Sequence, residues 1–234
     1  MNGLSLTNHK NPDFKQPVIG GFVPFSTVDW PGKLVATIFL SGCPWRCHYC
    51  HNPHLQSRQS QEDWSVILDR LSHRKGLLDG VVLSGGEPLI EQGCKALVLA
   101  LQALEFKIAV HTAGIYPARL STLLPELSWV ALDIKTSESA YDKLTGKKGS
   151  FARANESLNI LLDWGGPFEC RTTWSPEWLS EEELIDLAQN LAARGVREYA
   201  LQRFRNIQSQ TSPVSIRESS LHTLQGLFEK FTYR

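Results

Sequence analysis

The chain has 234 residues, 42% of them hydrophobic and 21% charged, and its 24 basic side chains balance its 24 acidic ones. That length suits one α/β domain with a sizeable core, and zero net charge argues against a global basic field for nucleic acid. No apolar run approaches membrane-spanning length. Met1–Gln16 lacks the charged-then-apolar order of an export signal, so the expected home is the cytoplasm, with neither nucleic acid nor membrane as a partner.

Residues 1–16 are polar and aperiodic and are expected to be poorly ordered, leaving 17–234 as a single domain. Val18–Phe25 is apolar with Gly20-Gly21 inside it, which suits a bent strand or hairpin arm. Thr27-Val28-Asp29-Trp30-Pro31-Gly32 is a turn, because Pro-Gly breaks regular structure. It feeds an apolar run, Leu34–Leu40, that reads as a buried strand. A cysteine loop follows, and then apolar residues at helical spacing (Trp64, Ile67, Leu68, Leu71).

Val81–Leu83 is a short buried strand ending in Ser84-Gly85-Gly86-Glu87-Pro88. A helix carries Leu97, Val98, Leu101 and Leu104 on one face. Phe106–Val110 is the next strand, ending in His111-Thr112-Ala113-Gly114, and Pro117–Leu124 is a short helix with proline in its first turn. Trp129–Leu132 is a strand ending in Asp133-Ile134-Lys135. Ser150–Leu162 reads as a helix closed by Gly165-Gly166, and Phe168–Trp174 as a strand containing Arg171. Ser180 and Glu183 form a capping box, with Leu184, Leu187, Ala188 and Leu191 as the buried stripe behind it. Arg197–Gln202 is a strand ending in Arg203-Phe204-Arg205. Pro213 precedes a last amphipathic helix, roughly Ile216–Phe231.

Six β-α alternations predict a parallel sheet with helices outside it, because parallel strands need crossover connections. The cysteine loop, Gly-Gly-Glu-Pro, His-Thr-Ala-Gly, Asp-Ile-Lys and the arginine-rich turn all fall at strand C-terminal ends. Sheets of this class place their sites there. Five special segments are therefore expected to meet at one mouth.

Three of the five cysteines form Cys43-x3-Cys47-x2-Cys50, an odd count that suits a metal loop better than a disulfide framework. Three thiolates on a four-iron cluster leave one iron open for chemistry. His48, His51 and His54 flank the loop, so a zinc-binding module without catalysis is the competing reading. Cys94 and Cys170 stand alone and read as buried hydrophobes. Gly85 and Gly86 let backbone approach a ligand closely, and Glu87 offers an acceptor to an ammonium group or a ribose hydroxyl. Asp133 and Lys135 lie two apart on a strand end and face the same way, able to grip a zwitterion. Arg171 sits in a strand fit for burial and needs an anionic or carbonyl partner. Trp30, in the Pro-Gly turn, is a candidate to line an entrance.

Cys43-x3-Cys47-x-Tyr49-Cys50, followed by Gly85-Gly86-Glu87-Pro88, resembles the two leading motifs of the radical S-adenosylmethionine enzymes. With Thr27–Gly32 ahead of them, the likeness narrows to the activases of glycyl radical enzymes. The anaerobic ribonucleoside-triphosphate reductase activating proteins are the nearest resemblance, with pyruvate formate-lyase activating enzyme similar. It runs from about Ile19 to about Arg205.

The resemblance implies a partial (β/α)6 barrel with a short N-terminal hairpin. It implies a [4Fe–4S] cluster on Cys43, Cys47 and Cys50, and S-adenosylmethionine cleaved to methionine and a 5′-deoxyadenosyl radical. That radical takes hydrogen from a glycine of an anaerobic ribonucleotide reductase. A small electron-donor protein such as flavodoxin or ferredoxin is implied as well. Tyr49 and His51 are implied beside the adenosine, Gly85, Gly86 and Glu87 at the methionine end, and Asp133 and Lys135 at the ribose and carboxylate. Asp29, His51 and Arg171 match positions that face the incoming glycine.

The chain departs from the activase pattern twice. His111 stands where the activase has an Asp of a monovalent cation site, and Phe204-Arg205 stands where it has a cofactor-binding His. Two other readings keep the cluster: activation of a different glycyl radical enzyme, and a small-molecule reaction like that of 7-carboxy-7-deazaguanine synthase.

Overall fold

The computed structural model describes residues 16–204 and 215–234. Most of the segment expected to be poorly ordered, along with Arg205 and Pro213, lies outside those residues.

The chain builds one eight-stranded sheet whose strands lie side by side in sequence order. They are β1 (Ile19–Ser26), β2 (Val35–Leu40), β3 (Gly80–Gly85), β4 (Lys107–Thr112), β5 (Trp129–Asp133), β6 (Phe168–Trp174), β7 (Glu198–Arg203) and β8 (Lys230–Tyr233). β1 pairs antiparallel with β2, which makes the expected N-terminal hairpin, and β2 through β8 are parallel. The helices α1 (Trp64–Ser72), α2 (Cys94–Gln102), α3 (Pro117–Leu123), α4 (Glu138–Thr145), α5 (Ser150–Trp164), α6 (Glu181–Ala193) and α7 (Glu218–Leu227) fill the crossovers. The capping box at Ser180 and Glu183 forms as its spacing predicts.

Two elements differ from the sequence expectation. α4 was not anticipated: it is short, buries Tyr141, Leu144 and Thr145, and is stopped by Gly146 in the left-handed conformation. Eight residues rich in polar side chains give a weak periodic signal. At the other end, the last helix stops at Leu227, and Lys230–Tyr233 adds a strand to the open edge of β7. Phe228 and Phe231 are three apart and read as one helix face. Instead both stack on Tyr199, at 4.7 and 6.3 Å between ring centroids.

The sheet has two unlike faces. Its outer face carries the large core, where Ile38, Leu83, Val110 and Leu132 meet helix residues such as Ile67, Leu97, Leu120 and Leu158. On the inner face, Val35, Val82, Ala109, Trp129 and Ala131 form a small second core with Trp30. Trp30 stacks on Trp129 at 5.9 Å and is 6% exposed. It is a plug for the sheet's interior and not the entrance residue expected from its turn. Past this plug, toward the strand C-termini, the inner face turns polar. No described helix is long and apolar enough to cross a membrane.

Candidate active site at the strand ends

The cysteine loop is held by backbone hydrogen bonds on two sides. The Gly42 and Cys43 amides donate to the Leu55 and Gln56 carbonyls (2.7 and 3.1 Å), and the Glu87 amide donates to the Gly42 carbonyl (2.9 Å). Across the loop, the Arg46 and His48 amides donate to the Thr145 and Leu144 carbonyls at the end of α4 (2.8 and 3.0 Å). The Arg46 guanidinium closes the turn on itself by donating to the Cys43 and Trp45 carbonyls (2.6 and 2.8 Å).

These bonds fix the shape of the loop, and Cys43, Cys47 and Cys50 all line one cavity of about 760 Å³. All three are free, half-buried thiols. Burial pushes the Cys43 thiol up to about 12 and raises Cys47, although Lys135 pulls against both shifts. Among the described residues, no three His, Cys, Asp or Glu side chains are placed to grip a single ion.

Gly85 and Gly86 line the same cavity. Their need for glycine comes from the protein itself. Gly85 has φ +126°, and a Cβ there would fall on Leu40 backbone; one on Gly86 would fall on the Gly42 carbonyl.

Glu87 goes elsewhere than expected. It is 0% exposed and does not line the cavity. Its carboxylate accepts from the Thr112 hydroxyl (2.7 Å), the Ala113 amide (2.9 Å) and the Leu89 amide (3.2 Å). Burial raises its pKa to about 7 against the pull of these donors. Glu87 ties the end of β3 to the end of β4, and the carboxylate assigned to the methionine end is a strut. A glutamate after Gly-Gly looks the same in sequence whichever way it turns.

Asp133, Lys135 and Arg171 do come together on the cavity wall. Asp133 accepts from Arg171 through Nε and a terminal nitrogen, both at 2.9 Å, and pairs with Lys135 Nζ at 3.3 Å. Burial would raise the carboxyl, but the two cations override it and hold it at about 2. Burial likewise opposes charge on Lys135, but Tyr49 and Asp133 hold its pKa high. One carboxylate between two cations leaves one unit of positive charge facing the cavity, so the trio suits an anionic group better than an ammonium.

Tyr49 is buried under that trio, with Lys135 Nζ 5.6 Å from its ring centre. It stacks on Trp178 at 4.8 Å, while His51 stacks on Phe204 at 5.6 Å and 8° between planes. Phe204, at the position where the resemblance lacks its His, belongs to an aromatic wall with Tyr49, His51 and Trp178. Asp29 and His111 also line the cavity. Asp29 accepts from the Thr37 hydroxyl (2.7 Å), and its carbonyl is 2.6 Å from His111 Nε2. Burial and the Arg171 charge lower the His111 pKa to about 3, so the ring is neutral and Nε2–H is the donor.

Two lining residues had no sequence signal. Gln202 and Arg234 face the cavity from β7 and from just past β8. Arg234 also pairs with buried Glu169 at 2.8 Å. Arg203 reaches the cavity too, its guanidinium 5.0 Å from the Tyr233 ring centre.

A parallel sheet with three clustered thiols and a net-positive trio at its C-terminal mouth is an α/β protein with a candidate cofactor site at its strand ends. The chain belongs to the Radical SAM superfamily, whose family model matches residues 37–174. It is 30% identical over 200 residues to a putative glycyl-radical enzyme activating enzyme, MJ1227, of Methanocaldococcus jannaschii, covering 80% of each chain. It is 31% identical over 147 residues to a pyruvate formate-lyase-activating enzyme of Clostridium pasteurianum, covering 58% of this chain and 61% of that one. Among solved structures, Streptococcus suis SuiB bound to S-adenosylmethionine matches with a TM-score of 0.60 at 16% identity, over 82% of this chain and 48% of that one. That likeness shows the fold, and the chain spans about half of the SuiB structure's length.

Proposed function

We propose that this radical S-adenosylmethionine enzyme is the activase of a glycyl radical enzyme, and that its target is an anaerobic ribonucleoside-triphosphate reductase. The observation that carries the reading is the meeting of three thiols, two obligatory glycines and the Asp133–Lys135–Arg171 trio on one cavity. Relatives named as activating enzymes support the target class.

The residues fit the groups that the family implies. Cys43, Cys47 and Cys50 sit on a loop fixed by hydrogen bonds and would hold the [4Fe–4S] cluster, leaving its fourth iron to the cofactor. When bound, cluster and S-adenosylmethionine supply a one-electron cleavage that yields methionine and a 5′-deoxyadenosyl radical. The backbone of Gly85 and Gly86 borders the methionine end. Lys135 would take the cofactor carboxylate and Asp133 the ribose, with the Arg171 charge keeping Asp133 ionised. Tyr49 and His51 wall the adenosine and keep water off it.

Asp29 and Arg171, with His51, face the space left for the substrate glycine. A glycine has no side chain to grip, so its position depends on a rigid cavity wall. The His111–Asp29 bond supplies that rigidity. A reduced flavodoxin or ferredoxin would deliver the electron.

The test is electron paramagnetic resonance on the anaerobically reconstituted chain with S-adenosylmethionine, a reductant and the reductase. The expected result is a glycyl radical on the reductase, absent when any of the three components is left out. Turnover of S-adenosylmethionine with no radical on this or any other glycyl radical enzyme would move the reading to a small-molecule substrate.

A further inference from the structure

The outer side of the cysteine loop, with the end of α4 and the turn after it, carries exposed cations that do not line the cavity. Pro44, Arg46 and His48 alternate with the thiols and are exposed, while the cysteines turn inward. The loop is stitched to the end of α4, and the next residues, Gly146-Lys147-Lys148-Gly149, are exposed. Gly146 lies so close that a Cβ on it would be 3.5 Å from Arg46. Lys143, in the last turn of α4, and Arg153, in the first turns of α5, are exposed as well.

None of Arg46, Lys143, Lys147, Lys148 or Arg153 has a carboxylate within 4.0 Å among the described residues. The nearby acids Asp142, Glu138 and Glu156 offset part of this charge without forming an ion pair with any of these five cations. Asp142 spends its carboxylate on the Gly149 amide and on Ser150 (2.8 and 2.9 Å). Glu138 and Glu156 sit at other turns of α4 and α5. A chain of zero net charge thus exposes, among the described residues, four cations without a close carboxylate on α4, the turn after it and α5, and a fifth, Arg46, on the thiol loop that is bonded to the end of α4.

We infer that Arg46, Lys143, Lys147 and Lys148 form the docking surface for a reduced, acidic electron-carrier protein, which delivers its electron across the cysteine loop. The inference rests on the reading of that loop as the seat of a one-electron centre. Complementary charge steers the encounter and orients the donor's redox group toward the loop. In each encounter the donor loses one electron and the centre gains one, and no bond or proton changes hands. Placing the donor on the outer side leaves the cavity mouth to the substrate, so both partners can be bound at once. Arg46 has a second task, since its guanidinium also shapes the loop, and the lysines are therefore the clean probes.

The test is a binding titration of the full chain with an acidic flavodoxin, read by flavin fluorescence, with basic cytochrome c as the mismatched control. The wild-type chain should bind flavodoxin and not cytochrome c at low salt. Lys147→Glu with Lys148→Glu should weaken flavodoxin binding at least about tenfold, and raising salt to about 0.5 M should remove most of that difference. Cleavage of S-adenosylmethionine driven by flavodoxin should fall in step, while cleavage driven by dithionite should not change. Equal flavodoxin affinity for variant and wild type, or no binding by the wild type, overturns the docking surface. Absence of dithionite-driven cleavage in both proteins would instead strike the cofactor reading, and the titration would still decide the surface.

Discussion

A Glu87→Ala substitution leaves the Thr112 hydroxyl and the amides of Leu89 and Ala113 without the buried acceptor they share. Each orphaned buried donor costs about 1–3 kcal/mol. Urea denaturation of the cofactor-free protein should therefore show the variant at least about 2 kcal/mol less stable. A loss under about 0.5 kcal/mol, typical of a surface position, would return Glu87 to the ligand side. His111 makes a second residue-scale prediction. Its folded-state pKa is depressed to about 3, so the unfolded chain takes up a proton below about 6.5 that the native chain refuses. The stability this group contributes is complete above pH 6.5 and drains as pH falls toward 3. Relative to His111→Gln, the wild type should lose about 1 kcal/mol between pH 6.5 and 5.5. Parallel stability curves for the two proteins over that range would mean that His111 takes up its proton as readily in the fold as in the unfolded chain.

At the scale of elements, the turn between β1 and β2 does two jobs: Asp29 faces the cavity and Trp30 closes the sheet's inner floor. Trp30→Ala should cost about 3–5 kcal/mol, as removal of a buried large aromatic does. An entrance residue would cost almost nothing, so thermal or urea denaturation separates the two roles. Strands β2 to β7 were legible because each is a short apolar run bounded by turn residues. The site elements were legible because the unusual residues, Cys43, Gly85, His111, Asp133 and Arg171, cluster where those runs end. α4 was not legible, because its buried residues are few. β8 was hidden because Phe228 and Phe231 satisfy a helical spacing as well as a strand edge. Missing β8 also meant missing Arg234 and the cation–π partner of Arg203, which exist only once that strand is in place.

At the scale of the molecule, the sheet separates packing from chemistry. Its outer face and its inner floor hold the apolar cores, and its C-terminal rim holds the thiols, the glycines and the charged trio. Asp29 and Arg234 follow strands at opposite edges of the sheet and still line one cavity, so the sheet curls toward itself at that rim. The central claim is that three thiols on this rim seat a redox centre with one corner left for a sulfonium cofactor. The most direct measurement is iron content and S-adenosylmethionine cleavage of the anaerobically reconstituted chain under dithionite, beside Cys47→Ala. The wild type should carry about four irons and release methionine and 5′-deoxyadenosine, with the variant releasing neither. Cleavage that survives Cys47→Ala would contradict the account at its root.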